Sequence, residues 1–185
     1  MNMKKKILTG VAICFALILA VIAAGGIYYF VLTETIELTA IPAPDIQEQL
    51  DVYVEARLCK EAYINEDETA AIVHLTRYQK KKWIKWITDS MSSSLEDANK
   101  LDNMEYQISD DAKELTLIAR KSISYNSAGT YFLVLAYDME IYQLLMGEQE
   151  WGVHFVLKDM DTNETLYTAD YPEEKVRVYD YLWDK

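Results

Sequence analysis

Residues 57–91, RLCKEAYINEDETAAIVHLTRYQKKKWIKWITDSM, contain the unit from which the fold of this chain is read. Leu58, Tyr63, Ile64, Ile72, Val73 and Leu75 mark two short apolar arms. The acidic NEDE between them marks a turn, so residues 57–76 predict a hairpin. At Thr76 the period changes. Trp83, Ile84, Ile87, Met91 and Leu95 recur at helical spacing and share about one third of a helix circumference. Lys81 and Lys85 project from the opposite side, Lys82 lies on the remaining flank, and Trp86 sits at the edge of the apolar stripe. Thr76 and Gln79 stand in the T-x-x-Q relation of a capping box, which predicts a helix from Tyr78 to about Lys100.

The same hairpin-then-helix pattern recurs downstream. In residues 104–121, MEYQISDDAKELTLIARK, Tyr106 and Ile108 alternate on one arm and Leu115, Leu117 and Ala119 on the other. A second helix is expected from about Ala128 to Met146, capped by Asn126 and ended by Gly147. Residues 151–170, WGVHFVLKDMDTNETLYTAD, give a third hairpin with Val153, Phe155, Leu157, Leu166 and Thr168, and Pro172 ends its last arm. The expected class is α+β: one antiparallel sheet of three hairpins in ββαββαββ order, with two helices packed on one face, preceded by a transmembrane helix.

That transmembrane helix is read from residues 7–32, ILTGVAICFALILAVIAAGGIYYFVL, which carry no charge. As a helix the run reaches roughly 39 Å, more than the ~30 Å hydrocarbon core of a bilayer. Lys4, Lys5 and Lys6 precede it and the first acidic residue is Glu34, so residues 1–6 are expected in the cytoplasm and the remainder outside. The competing reading is a cleaved signal peptide, for which Ala23, Ala24, Gly25 and Gly26 supply small residues. An apolar run continuing through Ile27, Tyr28, Tyr29, Phe30, Val31 and Leu32 favours the uncleaved anchor, with the tyrosines at the outer interface. Residues 33–50, with Pro42 and Pro44, read as an extracytoplasmic linker, and 51–185 as the extracytoplasmic α+β domain.

Charge excludes one function class. All 30 acidic residues but only 15 of the 18 basic ones follow the anchor, a net charge of −15 there. Such a domain does not bind nucleic acid, and the lysines at 80–85 lie on a wet face away from the aromatics rather than interleaved with them. Cys59 is the only cysteine after the anchor, so no internal disulfide can form there.

Little in the sequence points to chemistry. There is no Gly-rich phosphate loop, G-x-S-x-G elbow, H-E-x-x-H or C-x-x-C. His74 and His154 stand inside expected strands among apolar neighbours, where a neutral, satisfied histidine is the ordinary outcome. Asp159, Asp161, Asn163 and Asp170 match positions one, three, five and twelve of a calcium loop. Glu164 stands where that loop needs glycine, and the flanks read as strands, so a polar hairpin turn explains them without metal. No cofactor is expected.

The second helix is apolar nearly all round in FLVLA (132–136), which implies burial on most sides. A face of it bearing Phe132, Leu135, Met139, Leu145 and Met146 is the candidate contact for a partner protein. The segments VHLTRYQKKKWIKWITDSM, YFLVLAYDMEIYQLL and VHFVLKDMDTNETLYTAD, in that order, resemble a group of uncharacterised exported, membrane-anchored proteins of clostridia-like Gram-positive bacteria. The resemblance implies a membrane-attached extracytoplasmic domain and brings no activity with it. The expected function is therefore non-catalytic: a single-pass protein acting through protein contacts at the cell envelope, for example as an accessory subunit of a membrane complex. The alternatives are a small-ligand or cation-binding module, with a pocket lined by Trp83, Tyr106 and Tyr137, and an envelope hydrolase using paired carboxylates.

Overall fold

The computed structural model describes residues 3–39, 46–120 and 125–177, with side chains from residues 17, 47 and 128 onward in those stretches. Its elements are α1 (Met3–Phe30), β1 (Thr33–Leu38), α2 (Ile46–Glu55), β2 (Glu61–Ile64), β3 (Ala71–Thr76), α3 (Arg77–Ala98), β4 (Met104–Ile108), β5 (Glu114–Ala119), α4 (Tyr125–Met146), β6 (Val153–Asp159) and β7 (Thr165–Tyr171). The class is α+β. Three antiparallel hairpins form where the alternation predicts them, pairing Tyr63 with Ile72, Tyr106 with Leu117, and Phe155 with Ala169. In the first, Asn65 Oδ1 closes the NEDE turn by accepting from the amides of Thr69 and Ala70. The expected capping box opens α3: Thr76 Oγ1 accepts from the Gln79 amide at 3.2 Å, and Gln79 Oε1 accepts from the Thr76 amide at 3.0 Å. Gly147 ends α4 with φ +104°, a conformation that only glycine adopts without strain. The side chain of Asn126, expected as a cap, lies outside the described residues.

Three expectations need correction. The strands form two sheets, one of three strands in the order β1-β3-β2 and one of four in the order β4-β5-β6-β7. Nor is every pair antiparallel, since β5 and β6 run parallel with Leu115 opposite Phe155. Helix α4 is the cause: a 22-residue crossover returns the chain to the end from which it left, as a parallel pair requires. Nor are residues 33–38 part of a spacer. TETIEL alternates inward and outward, and β1 pairs along the whole of β3, from Thr33 opposite Thr76 to Leu38 opposite Ala71. Helix α2 follows, while Pro42 and Pro44 lie outside the described residues.

Two apolar cores result, bridged by the same pair of helices. Helix α3 gives Trp83 and Ile87 to the core under the three-stranded sheet, and Met91 and Ala98 to the core under the four-stranded one. Helix α4 does the reverse. Ala128, Phe132, Leu135 and Met139 enter the second core, and Ile141, Leu144 and Leu145 the first. The two helices therefore run antiparallel and cross both cores. Lys81 and Lys85 face solvent as expected, Lys82 Nζ donates to the Ala56 carbonyl at 2.6 Å, and Trp86 is partly exposed. Among the described residues no helix is long and apolar enough to cross a membrane; within α1 the described side chains run from Leu17 to Phe30.

Candidate functional site

The functional groups that the fold gathers lie on α4, and they are polar. Asp138, Glu140 and Gln143 are 5%, 0% and 2% exposed. Their helical spacing points them in different directions, and each joins α4 to a different element. Asp138 accepts from Ser90 Oγ of α3 at 2.8 Å. Glu140 Oε1 accepts from the Thr39 amide, just beyond β1, at 2.9 Å. Gln143 Nε2 donates to the carbonyls of Ala112 at 2.6 Å and Gly152 at 2.9 Å, while its Oε1 accepts from the Gly152 amide at 3.2 Å. One turn back, Tyr137 meets Tyr53 of α2, with the two hydroxyl oxygens 3.1 Å apart.

Burial sets the electrostatics of this seam. It pushes the Tyr53 hydroxyl up to about 12, and Tyr137 further above its ordinary value, where the neighbouring Tyr53 adds to the effect. Asp138 is raised from 3.8 to about 6 by burial, against the Ser90 hydrogen bond, which favours the carboxylate. The buried Cys59 thiol is raised to about 11 by the same desolvation, so it remains a thiol at neutral pH and a poor nucleophile. The chemistry of the seam is cohesion: the Gln143 amide and the Glu140 carboxyl satisfy backbone groups, Asp138 takes the Ser90 hydroxyl, and the Tyr53 and Tyr137 hydroxyls pair with each other.

Gln143 carries the sharpest local consequence. Ala112 holds a left-handed φ of 54° in the β4–β5 turn, and its carbonyl is one of the three backbone groups that Gln143 satisfies. Gln143→Leu, of similar shape without the amide, is expected to cost about 2 kcal/mol, because buried backbone groups lose their partners. Chemical denaturation of the two proteins measures this, and an unchanged midpoint would show that water replaces the amide.

The residues singled out from sequence fall elsewhere. Of the proposed partner contact, Phe132, Leu135, Met139 and Leu145 are buried in the chain's own cores, and only Met146, 59% exposed, remains at the surface. The cause is that the two sheets and α3 cover α4 from several sides, so most of its apolar residues are consumed internally, while Leu133 and Val134 stay exposed. The calcium pattern does not converge. Asp170 pairs with His154 at the far end of the β6–β7 hairpin from residues 159–163. Asp159 Oδ1 caps its own turn through the amides of Asp161 and Thr162, and Asp161 pairs with Arg120 at 3.2 Å. Among the described residues no group of three or more His, Cys, Asp or Glu side chains is placed to hold a metal ion. Trp83 and Tyr106 do not share a site, since each is 1% exposed and they lie in different cores, with Tyr137 packed against the core of Trp83. His74 hydrogen-bonds Thr35 Oγ1 at 3.0 Å across the outer sheet.

Two features were missed. The first is the polar seam, whose signal was present in the sequence: a helix apolar all round leaves no wet side for Asp138, Glu140 and Gln143. The second is a collar where α1 enters the fold. The Arg77 guanidinium sits 4.0 Å over the Tyr28 ring, and Tyr29 and Phe30 pack on Tyr78. Glu34 of β1 pairs with Arg77 at 3.3 Å and Lys80 at 2.9 Å, and these cations hold its carboxyl below the ordinary value, the Lys80 hydrogen bond most of all. Lys60 Nζ donates to the Val31 carbonyl at 3.0 Å.

No protein-family model, no curated protein and no solved structure matches this chain.

Proposed function

We propose that this chain is a single-pass membrane protein, anchored by residues 7–32 with its N-terminus in the cytoplasm, whose α+β domain lies outside the cytoplasm. The domain acts by protein contact rather than catalysis, as an accessory subunit of an envelope complex would. One observation carries the anchor: the uncharged run of residues 7–32 enters the fold as a helix whose described outer side chains are apolar and exposed. Leu17, Ile18, Leu19, Val21, Ile22, Ile27 and Phe30 all stay uncovered by the domain. A surface of that kind needs a non-aqueous environment. Contact through protein is supported by exposed apolar side chains on three helices: Val52 on α2, Trp86 on α3, and Leu133 and Val134 on α4.

Membrane fractionation tests the anchor directly. The chain is expected to stay in the pellet after alkaline carbonate extraction, and protease added to intact protoplasts is expected to degrade residues 51–185. Release by carbonate would overturn the anchor, and protection from protease in intact cells would overturn the orientation.

A second reading, a small-ligand module, draws on one groove between α3 and the β4–β5 turn. It has a volume of about 270 Å³, with Met91, Leu95 and Tyr142 on its apolar side and Thr88, Ser109 and Asp110 on its polar side. That is slightly below the range of about 300–1,000 Å³ usual for ligand sites, so only a fragment-sized molecule would fit.

A further inference from the structure

We infer that the collar around the start of α3 binds anionic phospholipid headgroups of the outer leaflet through Lys60, Arg77 and Lys81. This rests on the anchored orientation proposed above. Three observations support it. First, α1 ends at Phe30 and β1 begins at Thr33, opposite Thr76, so no flexible spacer separates the end of the apolar helix from the first turn of α3. A headgroup layer is roughly 5–7 Å deep on each side of the hydrocarbon. A guanidinium 4.0 Å above the Tyr28 ring lies within that depth when Tyr28 is at the interface, and the exposed Lys81, four residues on, shares the helix face of Arg77. Second, the aromatic residues of the collar are not core residues. Phe30 and Tyr78 are 57% and 48% exposed although they touch each other, and Tyr28, beneath Arg77, is 46% exposed, as amphipathic rings at an interface are. Third, the charge is local and of the right sign. The domain as a whole is strongly acidic and would be repelled by an anionic surface, whereas at the collar Glu34 is set against Arg77 and Lys80, Lys60 reaches the neighbouring Val31 carbonyl, and Lys81 stands exposed four residues beyond Arg77. Basic residues within reach of an anionic leaflet are drawn to it electrostatically. The domain would therefore stand on its basic foot with its acidic bulk away from the membrane.

The experiment compares the full chain reconstituted in vesicles of phosphatidylcholine alone with vesicles also containing phosphatidylglycerol. Lysines are acylated with a water-soluble ester and read by mass spectrometry, with Lys100 and Lys158 as internal references. Labelling of Lys60 and Lys81 is expected to fall several-fold in the anionic vesicles while the references do not change, and Arg77→Glu is expected to restore labelling of Lys60. Equal labelling of the collar in both compositions, with the chain still floating with the vesicles, would overturn headgroup binding and leave the anchor standing. A chain that does not float with either vesicle would overturn the anchor itself. Protection of the same lysines in detergent by soluble glycerophosphate would reassign the collar to a free anion and overturn the lipid assignment. Wild-type footprints decide the matter even where Arg77→Glu does not fold.

Discussion

Trp83→Ala is expected to cost about 3–5 kcal/mol, as the removal of a fully enclosed indole does in other cores. Trp83 is 1% exposed, tilted against Tyr53 with ring centres 4.8 Å apart, and enclosed by residues of α2, β3 and α4. For a chain of this size that loss lowers the melting temperature by on the order of 10 °C. Near-UV circular dichroism of the solubilised chain would follow the transition. The companion Trp83→Phe separates volume from polarity. Nε1 of Trp83 is buried with no hydrogen-bond partner among the described residues, so phenylalanine removes an unsatisfied donor together with part of the ring. It is expected to cost under about 2 kcal/mol. If Trp83→Ala melted within a degree of the parent, the ring would not be a core element.

The second large effect concerns pH. Asp138 has a folded pKa of about 6 against an ordinary 3.8, so between about pH 4 and pH 6 the folded state holds the proton more tightly than the unfolded one. Stability from this group is fully present below about pH 4 and is lost as pH rises through about 6. At roughly 1.36 kcal/mol per unit, the loss is about 3 kcal/mol. The group facing it is the neutral Ser90 hydroxyl, with no cation among the causes that set its pKa. Asp138→Asn keeps an acceptor for Ser90 and has no charge to desolvate. It is expected to be more stable than the parent above pH 7 by up to about 3 kcal/mol, and level with it near pH 4. Urea titrations across that range give both curves; parallel curves would show that Asp138 is solvated in the folded state.

What could be read beforehand divides along sequence distance. The Thr76–Gln79 capping box spans three residues, and the β2–β3 turn is closed by Asn65, four and five residues from its partners. Such features are fixed by neighbours, and they emerge from the sequence. Strand β1 is different. Its partner Thr76 lies more than forty residues downstream of Thr33, and two glutamates and nearby prolines disguise TETIEL as a spacer. The division into two sheets depends on where two 22-residue helices set the chain down, which periodicity does not encode. On α4 the apolar run implied burial, and Phe132, Leu135 and Ala136 are buried while Leu133 and Val134 are not. That burial consumed Phe132, Leu135, Met139 and Leu145 of the expected partner face, and the apolar side chains left at the surface of α4 are Leu133, Val134 and Met146. The polar seam follows from the same reasoning carried one step further: Asp138, Glu140 and Gln143 on such a helix must find partners inside the molecule.

Because α3 and α4 each contribute to both cores, the domain has no seam at which it can be divided. A fragment ending near Asn99 would keep the three-stranded sheet but lose Ile141, Leu144 and Leu145 from its core. A fragment beginning there would keep the four-stranded sheet, leave half of α4 bare, and lose Met91 and Ala98. Truncation libraries, split reporters and limited proteolysis should therefore find one indivisible unit. A partner that grips either sheet, or either helix, has hold of the entire domain.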